Sequence, residues 1–292
     1  MIDLWLPLTL VSAVTLAASD ALTKKALSRH NEYLVMWLRV ALSLPFLLAV
    51  LPLESSPSPA PGFYRAFLTS LFLEIGATFL YMKALKLSPL SLTLPFLSFT
   101  PVFLLVIPFL LLGESIGAGG AAGIILIAAG SYVLNLGESR GGWLAPLRAI
   151  GKERGALAML VVSFIYSFTS TLGKEAVVAS SPLFFAAAYY AAFVAVTAPV
   201  ALAMGRKELR WPEVTSLIRA VTLPGILNGV MVATHMAAIN MTNVAYMISV
   251  KRCSLLFGVL FGHMLFGEKG LRERLAGAAL MVAGAALIVL WQ

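Results

Sequence analysis

Cysteine is almost missing from this 292-residue chain, and the single Cys253 excludes an intramolecular disulfide and any metal site built from paired thiolates. It lies in an apolar stretch, where a lone thiol packs as a small hydrophobe. Histidine is as scarce: His30, His235 and His263 are the only three, and no His-Glu-x-x-His motif occurs. No metal or cofactor site is therefore expected. A phosphate-binding Gly-x-x-x-x-Gly-Lys loop is also missing, so the chain has no sign of hydrolysing ATP. Charge is thin, at 12% of residues, with only 13 Asp and Glu against 21 Lys and Arg. A membrane-embedded enzyme would need clustered His, Asp or Cys near a connector, and no such cluster is present.

What fills the chain instead is hydrocarbon. Apolar residues make up 60% of it and the mean hydropathy is +0.93, too apolar for a soluble globular protein. Apolar runs fall near 4–23, 33–52, 64–85, 90–112, 117–136, 155–177, 182–204, 220–240, 244–266 and 272–291. Each is long enough for a membrane-crossing helix, which needs about 20 residues. The first run has Asp3 and no Lys or Arg before it, unlike a secretory signal, and is read as a retained span. The net charge of +8 then reports orientation in a lipid bilayer, and no nucleic-acid partner is expected.

The ten runs divide into two sets of five. Residues 81–136 align on residues 235–290 at a fixed offset of 154 without a gap, and 12 of the 56 pairs are identical. The identities include Gly113-Glu114 with Gly267-Glu268, Gly123 with Gly277, and Gly130 with Gly284. The first two spans of each half align at an offset of 150, placing Lys24 on Lys174. The change of offset implies a four-residue insertion, most simply in the 204–219 connector. Five spans per half is an odd number, so the second half enters the membrane from the opposite side. The expected fold is all-α and integral to the membrane: ten transmembrane helices in two inverted five-helix repeats, residues 1–140 and 150–292. That architecture is the one many secondary transporters use.

A charged side chain at mid-membrane costs roughly 2.5–3.5 kcal/mol on insertion scales, so the few present are informative. Glu74 is central in span 3, on one stripe with Ser70, Thr78 and Tyr81. The repeat places Asn228 and His235 of span 8 at the Glu74 and Tyr81 positions. Lys251 and Arg252 are adjacent in span 9, where they either neutralise Glu74 as a structural ion pair or anchor an anionic group of a substrate. Adjacent helical residues point about 100° apart, so both are not expected to face one cavity equally. Glu74, Thr78, Tyr81, Asn228, His235, Lys251 and Arg252 are the candidate substrate-binding residues. Glu74, Asp20, Arg39 and Pro101 are the coupling or gating candidates. Arg39 either snorkels to the interface or pairs with Asp20, and its repeat counterpart is Tyr189, beside Tyr190. Pro95, Pro101 and Pro108 should loosen span 4, a feature that span 9 lacks. Ser163, Ser167, Ser170 and Lys174 stripe span 6, and Ser12, Ser19 and Thr23 stripe span 1, a pattern that more often marks close helix packing than a cavity wall. Glu114 and Glu268 end spans 4 and 9, where each is expected to cap the next helix. The glycines of spans 5 and 10 suit internal packing, with a homodimer seam as the alternative.

The stretch Tyr81-Met-Lys-Ala-Leu-Lys, Pro101-Val-Phe, Leu112-Gly-Glu and Gly123 to Gly130 resembles the repeat of EamA-type members of the drug/metabolite transporter (DMT) superfamily. So does Lys24 with Trp37-Leu-Arg39-Val, and the second copy keeps Gly267-Glu268, Gly277 and Gly284. The resemblance implies a metabolite carrier of the inner cell membrane with a small-molecule substrate, amino-acid-like compounds for export being the foremost class. Movement of a lipid-linked headgroup, or a non-transporting partner role, are the alternatives. The cavity should be lined by spans 1, 3, 4, 6, 8 and 9.

The charge count also sets an orientation. Connectors after odd-numbered spans hold 16 Lys and Arg, and the other side holds only Arg65 and Lys174. By the positive-inside rule both termini face outward, whereas relatives of this type are generally drawn with theirs in the cytoplasm. A fluorescent reporter that matures only in the cytoplasm, fused after Gln292, should therefore stay dark. A bright fusion refutes the orientation.

Overall fold

The computed structural model describes residues 4–54, 59–88, 93–135, 153–267 and 274–291. The described residues are helical and contain no strand. Among the described residues, eight helical units are long and apolar enough to cross a bilayer, and two shorter apolar ones, Ala118–Leu134 and Leu275–Trp291, bring the number to ten. At 1.5 Å per residue these two still reach about 26 Å, close to the hydrocarbon thickness. Span 1 is Trp5–Leu27, span 3 Phe63–Leu87, span 5 Ala118–Asn135, span 6 Arg154–Val178, span 7 Pro182–Gly205, span 8 Glu213–Met241 and span 10 Leu275–Trp291. Span 2 is made of Glu32–Ala41 and Leu44–Val50, with Asn31 capping its start through bonds from the Tyr33 and Leu34 amides. Large apolar side chains such as Phe72, Phe79, Leu110, Met264 and Leu290 cover the outside, as a lipid-facing surface requires.

Spans 4 and 9 are both broken. Span 4 runs as a 3-10 stretch Leu94–Phe99, then Thr100–Phe103 and Ile107–Leu112, each with a proline in its first turn. Pro101 is buried at the start of the second piece. Span 9 was expected to differ, having lost all three prolines. It breaks nevertheless, into Val244–Lys251 and Ser254–Phe266. The cause is a change in bonding: the Cys253 amide bonds the Val250 carbonyl at 2.9 Å and the Leu255 amide the Arg252 carbonyl at 2.9 Å, three residues back instead of four. Both spans end alike, with Gly113 at φ 70° and Gly267 at φ 65°. This left-handed C-terminal turn is nearly strain-free only for glycine, which explains why the Gly of the Gly-Glu pair occurs in both halves.

The two halves interlock by exchanging neighbours. Span 1 packs along span 8, and the pseudo-equivalent span 6 packs along span 3. Span 1 is pinned by Ser12 Oγ donating to the Met231 carbonyl at 3.2 Å and Ser19 Oγ to the Pro224 carbonyl at 2.8 Å. The second pair is held by Arg65 to Glu175 at 2.6 Å and Ser88 to Glu153 at 2.7 Å. In both, residue numbers rise along one helix as they fall along the other, so the partners are antiparallel. Spans 5 and 10 cross with Gly123 against Gly284 and Gly130 against Gly277. These four glycines are repeat-equivalent, and each contact is the symmetry image of the other. The internal-packing reading of the glycines is thus the one that the fold uses.

A Cβ at Gly123 would sit 2.6 Å from the Gly284 carbonyl oxygen, which is backbone and has no freedom to move aside. Gly123→Ala should therefore cost about 1–3 kcal/mol of stability. Gly258→Ala meets nothing within 4 Å and should be neutral or slightly stabilising. Thermal unfolding of the purified variants in detergent separates the two cases; equal melting temperatures would contradict the packing.

Candidate functional site

A cavity of about 390 Å³ lies in the middle of the bundle, where the broken part of span 9 faces spans 3, 6, 7 and 8. One wall carries Glu74 of span 3, Tyr166, Thr169, Ser170 and Gly173 of span 6, and Phe185, Tyr189 and Tyr190 of span 7. The other carries Met231, His235 and Met236 of span 8, with Lys251, Arg252 and Ser254 of span 9. Leu16 of span 1, Thr100 of span 4, Val232 and Ile239 of span 8 and Ile248 of span 9 complete the lining. All six expected spans contribute, and span 7 joins them.

Glu74 lies near the middle of its 25-residue helix, with Thr169 beside its carboxylate. Lys251 and Arg252 do not cancel it: among the described residues no ion pair joins Glu74 to either. Lys251 Nζ donates to His235 Nδ1 at 2.8 Å and lies 3.2 Å from Met231 Sδ, both uncharged acceptors. The Arg252 Nε is buried with no hydrogen-bond partner among the described residues, and so is Thr100 Oγ1. Both cations line the same cavity although adjacent in sequence, because the cavity wraps around the break at Arg252–Cys253. The internal ion pair weighed from the sequence is therefore not made, and the three charges line one cavity without bonding one another.

The other candidates separate from this group. Thr78 turns its hydroxyl back to the Glu74 carbonyl at 2.8 Å. Tyr81 packs with Leu80 against the Ala84–Phe96 cluster, outside the cavity lining. Asn228 is buried at 5% exposure away from the lining and accepts from Arg39 Nη2 at 3.3 Å, leaving its own Nδ2 unpartnered. Arg39 is paired with Asp20 at 2.7 Å, its own side chain 9% exposed and that of Asp20 56%. Pairing rather than snorkelling is therefore the outcome for Arg39. Asp20, Arg39 and Asn228 occupy the repeat-equivalent positions of Ser170, Tyr189 and Glu74, which line the cavity. Two symmetry-related polar corners result, one bonded shut and one open to the void.

The serine stripe of span 6 splits in the same way. Ser163 and Ser167 are fully buried and bond carbonyls of their own helix, Ser170 lines the cavity, and Lys174 reaches a different group. Lys174 Nζ bonds Glu114 Oε1 and the Thr242 carbonyl, the latter at 2.7 Å. Glu114 Oε2 accepts from the Val244 amide at 2.9 Å, and Asn243 Nδ2 donates to the Ser115 carbonyl at 3.0 Å. Glu114 therefore caps the start of span 9, not the start of span 5 that follows it in sequence. Glu268, its repeat counterpart, lies outside the described residues. Lys24, the counterpart of Lys174, sits over the Phe266 ring at 4.9 Å. The Glu114–Lys174 clasp ties the first half to the second at the end of the cavity marked by Gly173 and Ile248. At the other end Leu16 lines the cavity and Asp20, one turn further on, is half exposed.

The EamA-like transporter family matches this chain twice, over residues 3–136 and 153–290. The chain belongs to that family. It is a DMT-type membrane transporter, multi-pass, with the two-repeat EamA architecture, and the family is one of transporters rather than enzymes. Among solved structures, 28 chains match the fold. One of them, described only as the crystal structure of a protein, has a TM-score of 0.73 at 19% identity and covers 97% of this chain and 96% of its own. At that identity the likeness speaks for the fold alone. A search among curated proteins gives no match.

Tyr166, Thr169, Phe185 and Met231 escaped the sequence reading because nothing in their patterning separates a cavity wall from helix packing. For Ser170, cavity lining is the lesser of two readings, and Tyr189 and Tyr190 enter as the counterpart of Arg39 and its neighbour, although all three lie at or beside positions equivalent to Asp20 and Arg39. That correspondence was the usable signal.

Both side chains of the EamA protein's clasp are 12% exposed, so removing one charge strands the other. Glu114→Gln should destabilise by about 3–5 kcal/mol, and adding Lys174→Met should recover a large part of the loss. Chemical denaturation of the single and double variants measures this; strictly additive losses would mean that the pair is not coupled.

Proposed function

We propose that this EamA protein is a secondary transporter of the inner cell membrane that exports small polar or amphipathic metabolites, amino-acid-like compounds among them. The observation carrying this reading is a mid-membrane void lined by Glu74, Lys251 and Arg252 in which the charges are not spent on one another. An embedded protein gains no stability from such an arrangement; a carrier needs it, because substrate must replace water at that place. The halves 1–140 and 150–292 would rock against each other, as in other inverted-repeat carriers. The Glu114–Lys174 clasp stands beside the Gly173–Ile248 end of the void, which supports an alternating-access cycle with the clasp as one of its gates. Glu74, able to gain and lose a proton as water reaches it, is the coupling candidate.

Counterflow in proteoliposomes tests the reading, with tritiated threonine and phenylalanine as first probes. Gly173 is the place to obstruct the path, since a Cβ there meets nothing nearer than the Phe185 ring at 4.0 Å. Gly173→Trp should lower exchange at least tenfold while leaving the melting temperature within a few degrees. Exchange no faster than in protein-free liposomes for any metabolite tried, or unaltered exchange in the tryptophan variant, counts against transport through this cavity. Glu74→Gln should retain exchange but lose acceleration by a pH gradient; an intact pH response removes Glu74 as the coupling group.

A further inference from the structure

Charge bookkeeping in the cavity carries the reading one step further, and the step rests on the cavity being the substrate site. With Lys251 protonated, Lys251 and Arg252 contribute two positive charges and an ionised Glu74 one negative. The Asp20–Arg39 pair cancels internally at 2.7 Å. The void therefore holds one positive charge in excess when Glu74 is ionised, and two when it is protonated. Neither state is balanced by a zwitterion, and both are relieved by an anion.

The hydrogen-bonding atoms agree with the charges. The Arg252 Nε is a buried donor without a partner, and the Thr100 hydroxyl, on a residue only 1% exposed, is unpartnered as well. Lys251 has two of its three protons directed to His235 and Met231, leaving one. These donors come from spans 4 and 9 and all line one cavity. A buried donor left unmade is costly, and an oxyanion satisfies several at once. The opposite wall is different in kind. Phe185 and Tyr189 have ring centroids 5.0 Å apart, Tyr189 and Tyr190 6.3 Å, and Tyr166 stands with them in the lining. That wall presents ring surface to whatever enters, with Glu74, Thr169 and Ser170 beside the rings.

We infer that the species carried is an amphipathic anion: a carboxylate or phosphate held by Lys251, Arg252 and Thr100, with an apolar or aromatic body against Tyr166, Phe185, Tyr189 and Tyr190. A net-neutral amino acid is then the weaker ligand, and an amine is excluded.

Four compounds of nearly constant ring size isolate the charge: 3-phenylpropionate, phenyl phosphate, phenylalanine and phenethylamine. Binding to the purified wild-type protein is read by thermal shift and isothermal titration. The two anions should bind at least tenfold more tightly than phenylalanine, phenethylamine should not bind, and the stronger of the two anions tells carboxylate from phosphate as the natural group. Arg252→Met and Lys251→Met should each weaken the anions at least tenfold. Thr100→Val, which removes one hydroxyl and keeps the shape, should weaken them several-fold without changing the melting temperature of the unliganded protein, so a folding defect is not mistaken for a lost site. Phenylalanine or phenethylamine binding as well as the anions, or no anion binding at all, overturns the inference. If neutral amino acids nevertheless exchange in counterflow, transport stands and only the anion assignment falls.

Discussion

A charge in the middle of a bilayer must be answered by something, and the organisation of this protein follows from which charges are answered from within. Arg39 is answered by Asp20, and Lys174 by Glu114. Both pairs stand where helices of different halves meet, and both are bonded further to Asn228 or to the Thr242 carbonyl. Glu74, Lys251 and Arg252 are not answered in this way. Holding them apart costs stability, since the penalty for desolvating each ion is several kcal/mol. The cost is confined to one void, and around it the packing is tight enough to keep the void from collapsing.

That tightness comes from very small groups. Spans 5 and 10 approach until backbone meets backbone at four glycines, and spans 1 and 8 are fastened by serine hydroxyls bonded to main-chain carbonyls of the neighbouring helix. Lipid supplies no hydrophobic drive between helices, so close contact and interhelical bonds have to do this work. The glycines and the serines fix the scaffold, while the larger polar side chains are freed to face the cavity. The break at Arg252–Cys253 belongs with the second group. Backbone irregularity at this depth is tolerated where it borders a cavity, and here it lies beside the two cations that line one.

The architecture was legible in the sequence because duplication is a pattern of whole segments. The offset of 154 found Gly113 with Gly267 and Gly123 with Gly277, and the fold uses them in equivalent ways. The site was less legible. Glu74, His235, Lys251 and Arg252 could be named because an ionisable group among apolar residues is conspicuous by itself. Tyr166 and Phe185 could not, since an aromatic ring in a membrane helix looks the same whether it meets lipid, another helix or a void. Thr78 and Tyr81 were drawn in by sharing a helix stripe with Glu74. A stripe gives direction from the helix axis but not depth, and at their depth the stripe no longer meets the cavity. Glu114 illustrates a different limit: position in sequence suggested the helix that follows it, while the tertiary fold delivered the start of span 9.

The two halves share a backbone plan but not a chemistry, and the difference is concentrated where it has consequences. Asp20, Arg39 and Asn228 correspond to Ser170, Tyr189 and Glu74. In the first corner the base bonds both the acid and the amide oxygen. In the second, a hydroxyl, a phenol and an acid make no such bonds with one another, and they remain turned toward the void. The cations enter from a third place, span 9, whose counterparts in span 4 are Leu97 and Ser98, neither of them charged. A perfectly symmetric duplicate would present the same groups to both membrane faces and would bind its cargo as two equal half-sites. Divergence has instead made one corner a structural joint and left the other open to the void, whose two cations both come from the second half. The symmetry is therefore kept in the backbone plan and abandoned in the groups that face the cavity.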